Sequence, residues 1–360
     1  MASHSHSLQS PSSTAEPILR VEGLCKYFPV KSKGFFKKQI GSVRAADGIS
    51  FELTRGETLG LVGESGCGKT TTGRTILRAL KPTAGKVMFR ARPAADQEGL
   101  AESVLSTPLS PSQWVDLARL EDRQLKPLRT RMQMIFQDPF ASLNPRMTVG
   151  AIVREPLDIH HIGGKAEREE RVASMLERVG LKPEHKSRYP HAFSGGQRQR
   201  IGIARALIMN PSLVVCDEAV SALDVSVQAQ VINLLQDLQK ELGLTYIFIA
   251  HDLSVVKHIC DRIAVMYAGR IVELATTEQL FSAPEHPYTK ALLSAVPNPD
   301  PDQPMNMELA GEVADPGNLP PGCAFHPRCP VRFTPCDSQV PALITRPDGR
   351  AVSCHKCSQR

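Results

Sequence analysis

Residues 57–63 read Glu-Thr-Leu-Gly-Leu-Val-Gly, and Gly63-Glu64-Ser65-Gly66-Cys67-Gly68-Lys69-Thr70 leads from them into the helix-like stretch that begins at Thr71 and ends with Arg-Ala-Leu. An apolar strand running through GxxxxGK[ST] into a helix is the P-loop pattern, and few other segments constrain a fold so tightly. The glycines let the backbone wrap closely, so that successive N–H groups and the helix N-terminus face an anion. In this pattern Lys69 reaches the β and γ phosphates of a nucleoside triphosphate and the Thr70 hydroxyl binds Mg²⁺. The plain alternative is a chance glycine turn ahead of a helix, and the flanking strand and helix weigh against it.

The chain has 360 residues, 41% hydrophobic and 22% charged, enough for two or three compact units and incompatible with a disordered or collagen-like protein. No apolar run approaches the roughly 18 residues that span a bilayer, and MASHSHSLQSPSSTAEP lacks the apolar core of a signal peptide, so the expectation is a cytosolic chain. Lys plus Arg (43) exceeds Asp plus Glu (37) by only 6, with one modest basic stretch at 31–38, so nothing demands a nucleic-acid partner. Residues 1–17 read as a disordered leader, 91–126 as a surface insertion, 138–210 as a helical region, and 296–360 as a Pro- and Cys-rich segment beyond a boundary near 295. Between these, ILRVEGL, ISFEL, ETLGLVG, MQMIF, SLVVCDE, TYIFIA and RIAVMY read as strands. Helical spacing joins Val172, Met175, Leu176 and Val179, and again Val227, Val231, Leu234, Leu235 and Leu238. Strands alternating with helices predict an α/β fold with a parallel sheet.

Leu213-Val214-Val215-Cys216-Asp217-Glu218 is an apolar strand ending in two acids, at the carboxyl end where α/β sheets bind ligands. Beside a P-loop, Asp217 is placed to hold the Mg²⁺ shell and Glu218 to polarise a water for in-line attack on the γ-phosphate. Alone, such a pair reads as solvated loop acids.

Ser194-Gly195-Gly196-Gln197-Arg198 stands between these two elements, and in that order the three motifs resemble the ATP-binding-cassette ATPases. The resemblance extends to Gln137 in IFQDP as the Q-loop, Ser221-Ala222-Leu223-Asp224 as the D-loop, and His251 after TYIFIA as the switch histidine. It implies an α/β P-loop NTPase with a parallel RecA-like core, an antiparallel β subdomain and a helical subdomain, to which this chain adds its small Cys-rich tail. It implies ATP and Mg²⁺ as ligands, with residues 63–71, Gln137 and Asp217 around the phosphates and the metal held by Thr70, Gln137 and Asp217. Glu218, His251 and Gln137 take the catalytic roles, and Phe28 (or Tyr27) stacks on adenine. Ser194, Gly195, Gly196 and Gln197 cap a helix start and are suited to an anion; in the family they close over the γ-phosphate held by the other subunit of a head-to-tail dimer. Two departures stand out: Ala219 where the family usually has Pro, and Phe193 in place of Leu before the signature.

YFPVKSKGFFKKQIGSVRAADGISFEL and SAPEHPYTKALLSAVP resemble the ATP-binding subunits of oligopeptide and dipeptide importers, and within them the second of the two ATPases. That implies a peripheral subunit on the cytoplasmic face of the inner membrane. Its partners would be a sibling ATPase, two permeases and an extracytoplasmic peptide-binding protein. Five of the nine cysteines crowd the tail: Cys323, Cys329, Cys336 and Cys354 form the ligand set put forward, with Cys357 a spare. The spacing leaves three readings open, a [4Fe–4S] cluster as associated with similar segments, a zinc ion, or reduced thiols. Other functions stay open too: a soluble cassette acting on ribosomes or nucleic acid, an importer for a non-peptide solute, and a GTPase switch, for which NKxD is missing.

Overall fold

The computed structural model describes residues 16–31, 39–90, 114–295, 311 and 314–357. The leader to residue 15, the basic stretch 32–38, most of the insertion (91–113) and the proline-rich 296–310 lie outside the described residues. An antiparallel layer forms from β1 (Pro17–Lys31) and β2 (Gln39–Thr54). Next come β3 (Thr58–Val62), α1 (Lys69–Ile76), β4 (Ala84–Phe89), the short β5 (Val115–Asp116), α2 (Asp122–Arg129) and β6 (Met132–Ile135). Three helices occupy the region read as helical: α3 (Val149–Ile159), α4 (Lys165–Arg178) and α5 (Gly195–Leu207). The chain then alternates through β7 (Leu213–Asp217), α6 (Val225–Leu242), β8 (Thr245–Ile249), α7 (Leu253–Ile259) and β9 (Arg262–Tyr267). It closes with β10 (Arg270–Thr276), α8 (Thr277–Ser282), α9 (Pro287–Ser294), β11 (Ile344–Thr345) and β12 (Ala351–Val352).

Two sheets result, ordered β2-β1-β4-β5 and β11-β12-β10-β9-β3-β8-β7-β6. In the second, β9, β3, β8, β7 and β6 are mutually parallel, with Leu59 opposite Ile247, Ile247 opposite Val215 and Val215 opposite Met134. Every residue of β3, β7 and β8 is buried, as parallel strands covered on both faces must be. One face packs with the helical region in a core that includes Ile152, Leu176 and Ile201; the other packs with the antiparallel layer through Leu19, Leu53 and Phe89. The α6 periodicity holds at Val231, Leu235 and Leu238, while Val227 and Leu234 are only half-buried and Ile232 takes a core place. The described end of the insertion is not free chain: Val115 pairs with Phe89 on β4, and Trp114 lies under the Arg20 guanidinium at 5.2 Å.

The change of composition near 295 does not coincide with a gap in packing. β12 pairs with β10, Glu273 opposite Val352 and Leu274 opposite Ala351, so the tail lengthens the central sheet. Phe325 is fully buried, its ring 5.3 Å from Tyr267 and 5.4 Å from Tyr288. Removing a buried phenyl ring costs roughly 3–5 kcal/mol. Phe325→Ala is therefore expected to lower the melting temperature of the whole chain in calorimetry; a detached appendage would leave the main transition where it was.

Candidate active site

The P-loop leaves β3 at Gly63 and enters α1 at Lys69. Gly63 has φ +148° and Gly68 φ +102°, and a Cβ on them would fall 2.2 Å from the Met266 carbonyl oxygen and 1.8 Å from that of Ala45. Backbone blocks both directions, so only glycine fits. The Lys69 ammonium is buried and donates to the carbonyls of Gly63 (2.7 Å) and Glu64 (3.0 Å). Burial raises the pKa of the Cys67 thiol, against the opposing pull of nearby Lys69, so Cys67 fills space as a neutral group.

Across the sheet, the Thr70 hydroxyl donates to Asp217 Oδ1 at 2.6 Å, and Arg74 lies 3.4 Å from Oδ2. Thr70 and Asp217, put forward separately from α1 and β7, therefore share one point, and their two oxygens are a donor set suited to Mg²⁺. One residue on, Glu218 adopts φ +48°, a left-handed conformation that costs a non-glycine residue of the order of 1–3 kcal/mol. Its N–H donates to the Ile249 carbonyl at 3.0 Å, and its own carbonyl accepts from both the N–H and the hydroxyl of Ser221. The turn aims the carboxylate at two residues from neighbouring strands: Gln137 Nε2 donates to Oε2 at 2.8 Å and His251 Nδ1 stands 3.5 Å from the same atom. All three residues named as catalytic thus meet at one oxygen.

The signature stays local. Ser194 Oγ accepts from the Gln197 N–H and Gln197 Oε1 from the Ser194 N–H, a reciprocal cap that starts α5. Gly196 packs against Val227 so closely that a Cβ would sit 2.4 Å from its Cγ1. Among the described residues no hydrogen bond or ion pair joins 194–197 to the P-loop. Asp224 of the D-loop caps α6 through the Val227 N–H, which lowers its pKa. Of the two aromatics weighed for adenine, Tyr27 is committed, its hydroxyl donating to Asp47 at 2.5 Å, whereas the Phe28 ring is exposed with the Lys26 ammonium 4.9 Å away.

Two contacts came from residues not put forward. Arg328 forks onto the Glu64 carboxylate, Nη1 to Oε2 at 2.8 Å and Nη2 to Oε1 at 3.1 Å, and Tyr288 Oη accepts from the Glu64 N–H at 2.9 Å. The only sequence signal for Arg328 is its place in Phe325-His326-Pro327-Arg328-Cys329, a run quoted for its cysteine. In the tail, Cys323, Cys329, Cys336 and Cys354 line one cavity of about 20 Å³, from which Cys357 is absent. Burial raises the Cys323 thiol to about 11, whereas Cys354, hydrogen-bonded to Cys357, is lowered to about 6. Among the described residues no group of three or more His, Cys, Asp or Glu is set to hold a metal ion. The cluster and zinc expectations therefore gain nothing from the structure beyond that shared cavity.

Comparison with known proteins places this geometry. The ABC transporter family model matches residues 46–221, and the model of the oligopeptide/dipeptide transporter C-terminal region matches 272–336. The chain is 50% identical over 342 residues to the "Probable peptide ABC transporter ATP-binding protein y4tS" of Sinorhizobium fredii (strain NBRC 101917 / NGR234), covering 95% of this chain and 90% of that protein. It is 49% identical to the oligopeptide transport ATP-binding protein AppF of Bacillus subtilis (strain 168), covering 94% and 97%. Among solved structures, the ATP-binding cassette MJ0796, a dimer bound to ADP and Pi, superposes with a TM-score of 0.58 over 72% of this chain and 99% of that one, at 24% identity, a likeness of fold. The chain belongs to the ATP-binding proteins of the ABC transporter family.

The Gly68 geometry yields a direct test. Gly68→Ala is expected to weaken ATP binding at least tenfold in equilibrium titration while the circular-dichroism spectrum stays that of the folded chain; unchanged affinity contradicts the backbone fit described here.

Proposed function

We propose that this chain is the ATP-hydrolysing subunit of a di- or oligopeptide importer, working as one half of a head-to-tail ATPase dimer against two membrane permeases. The observation that carries hydrolysis is the Glu218 carboxylate held by Gln137 and His251 one residue beyond Asp217, which itself meets Thr70. The peptide assignment rests on the relatives' names, matched over 94–95% of this chain, and on the C-terminal region at 272–336.

In this reading an arriving triphosphate offers charged oxygens, stronger acceptors for an ammonium than neutral carbonyls. Lys69 then exchanges the Gly63 and Glu64 carbonyls for the β and γ phosphates, while the loop N–H groups and the start of α1 hold the remaining oxygens. Mg²⁺, held by Thr70 and Asp217 with Gln137 nearby, supplies charge neutralisation between the phosphates. Glu218 takes a proton from a water as its oxygen bonds to the γ phosphorus and the bridging P–O bond breaks, leaving ADP and phosphate. Gln137 and His251 keep the Glu218 oxygen aimed, and Phe28 stacks on the adenine. Ser194, Gly195, Gly196 and Gln197, unconnected to this chain's own P-loop, serve the site of a second ATPase, in this proposal a sibling subunit.

Among the described residues no helix is long and apolar enough to cross a membrane, which fits a peripheral subunit whose partners supply the pore. Phe136 and Phe140 flank Gln137 and are 42% and 59% exposed, an apolar surface suited to a permease segment. An extracytoplasmic binding protein would deliver the peptide. The [4Fe–4S] reading of the tail belongs to the same proposal, supported by four thiols on one cavity. Its expected outcome is about four iron and four sulfide per anaerobically purified chain; colourless, metal-free protein contradicts it.

Glu218→Gln is expected to lower phosphate release by the assembled transporter about 100-fold or more while ATP remains bound; wild-type turnover contradicts the assignment. Phe28→Ala should weaken ATP binding by roughly 1–3 kcal/mol in direct titration, the worth of one base stacked on an aromatic ring. Tyr27→Phe should not, and the reverse result moves the adenine to Tyr27. Pull-down of the tagged chain should recover two permeases and another ATPase; recovery with ribosomes or DNA contradicts the transport reading.

A further inference from the structure

The tail reaches the phosphate loop through one side chain. Arg328 is almost fully buried, with 5% of its side chain exposed, and its guanidinium lies 5.9 Å from the centre of the Tyr267 ring and 6.0 Å from that of Phe325. Both rings are themselves buried and packed edge-on against each other, so the guanidinium has one direction open, toward Glu64. There it makes the two-pronged contact at 2.8 and 3.1 Å. Glu64 is the second residue of the P-loop, and its own carbonyl accepts from Lys69.

A carboxylate in this position is an anomaly for an anion site. The P-loop works by presenting N–H groups, a helix N-terminus and a lysine to a triphosphate, and a fixed negative charge on the same loop opposes all three. Because the pair is bidentate and Arg328 is shielded from water, the compensation is local and weakly screened by salt.

We propose that Arg328, from the C-terminal segment, is a positioning and charge-compensating residue of the nucleotide site, cancelling the Glu64 carboxylate so that the P-loop accepts a triphosphate. The inference rests on the ATP-site reading above. It makes the tail part of the nucleotide site, and it assigns Glu64 a cost to ATP affinity whenever Arg328 is missing.

The test is equilibrium binding of ATP with Mg²⁺ to the full-length chain, together with KM and kcat of the assembled transporter. Arg328→Gln should raise Kd and KM about tenfold with kcat within about twofold of the unmodified protein. Arg328→Lys, which keeps the charge, should stay near the unmodified value and serves as the reading if the Gln variant fails to fold. Decisively, E64Q combined with R328Q should recover most of the lost affinity, because neither charge remains. A purely structural role for the pair predicts lower melting temperature in all three variants and no recovery in the double variant. That result, or an unchanged KM in Arg328→Gln, overturns the inference while leaving the ATP site standing. Failure of the unmodified protein to bind ATP overturns the site reading itself and this inference with it.

Discussion

The parallel register of four neighbouring strands is the constraint from which the site follows. β3 ends at Val62, β6 at Ile135, β7 at Asp217 and β8 at Ile249, and the next one or two residues are Gly63, Gln137, Glu218 and His251. Residues scattered over nearly 190 positions meet because the sheet order β3-β8-β7-β6 aligns those ends. A slip of one residue in any strand would turn its buried face outward, and with β7 and β8 buried at every position the register has no alternative. The energy that aligns the catalytic groups is thus the burial of Val and Ile side chains far from the chemistry. The left-handed turn at Glu218 is held against its strain by hydrogen bonds to the next strand and to Ser221.

Much of this was legible in the sequence, for a physical reason. A parallel strand buried on both faces must be a continuous apolar run, so SLVVCDE and TYIFIA announce themselves, and the functional residue is the first polar one after each run. The P-loop carries its conformation in its glycines, and the Cβ clashes at Gly63 and Gly68 show why no other residue serves. What sequence could not supply was the meeting of Gln137, Glu218 and His251 at one carboxylate oxygen, since no local pattern encodes a distance across three strands. Nor could it choose between Tyr27 and Phe28, adjacent aromatics separated only by the Asp47 carboxylate that engages the first.

The tail was the least legible part. Its prolines and cysteines read as an appendage, because composition reports what a segment lacks in core residues and not what it leans on. In the fold it adds β12 to the edge of the main sheet, buries Phe325 among Tyr267 and Tyr288, and sends Arg328 to the P-loop. The buried Glu273 carboxylate on β10 accepts from the N–H groups of Glu285 and His286, fixing the chain just before α9, from which Tyr288 reaches the Glu64 N–H. These are single long-range contacts made by residues of ordinary type, and only the packed structure brings them together.

The central claim is that hydrolysis at this sheet edge drives peptide across a membrane, and reconstituted transport measures it most directly. With the transporter, its binding protein and a labelled oligopeptide in sealed vesicles, peptide accumulation and phosphate release are followed together. The account predicts that both require ATP and Mg²⁺ and that Lys69→Ala in this subunit stops accumulation. Peptide accumulation that persists in Lys69→Ala, or phosphate release with no movement of any peptide, would contradict it.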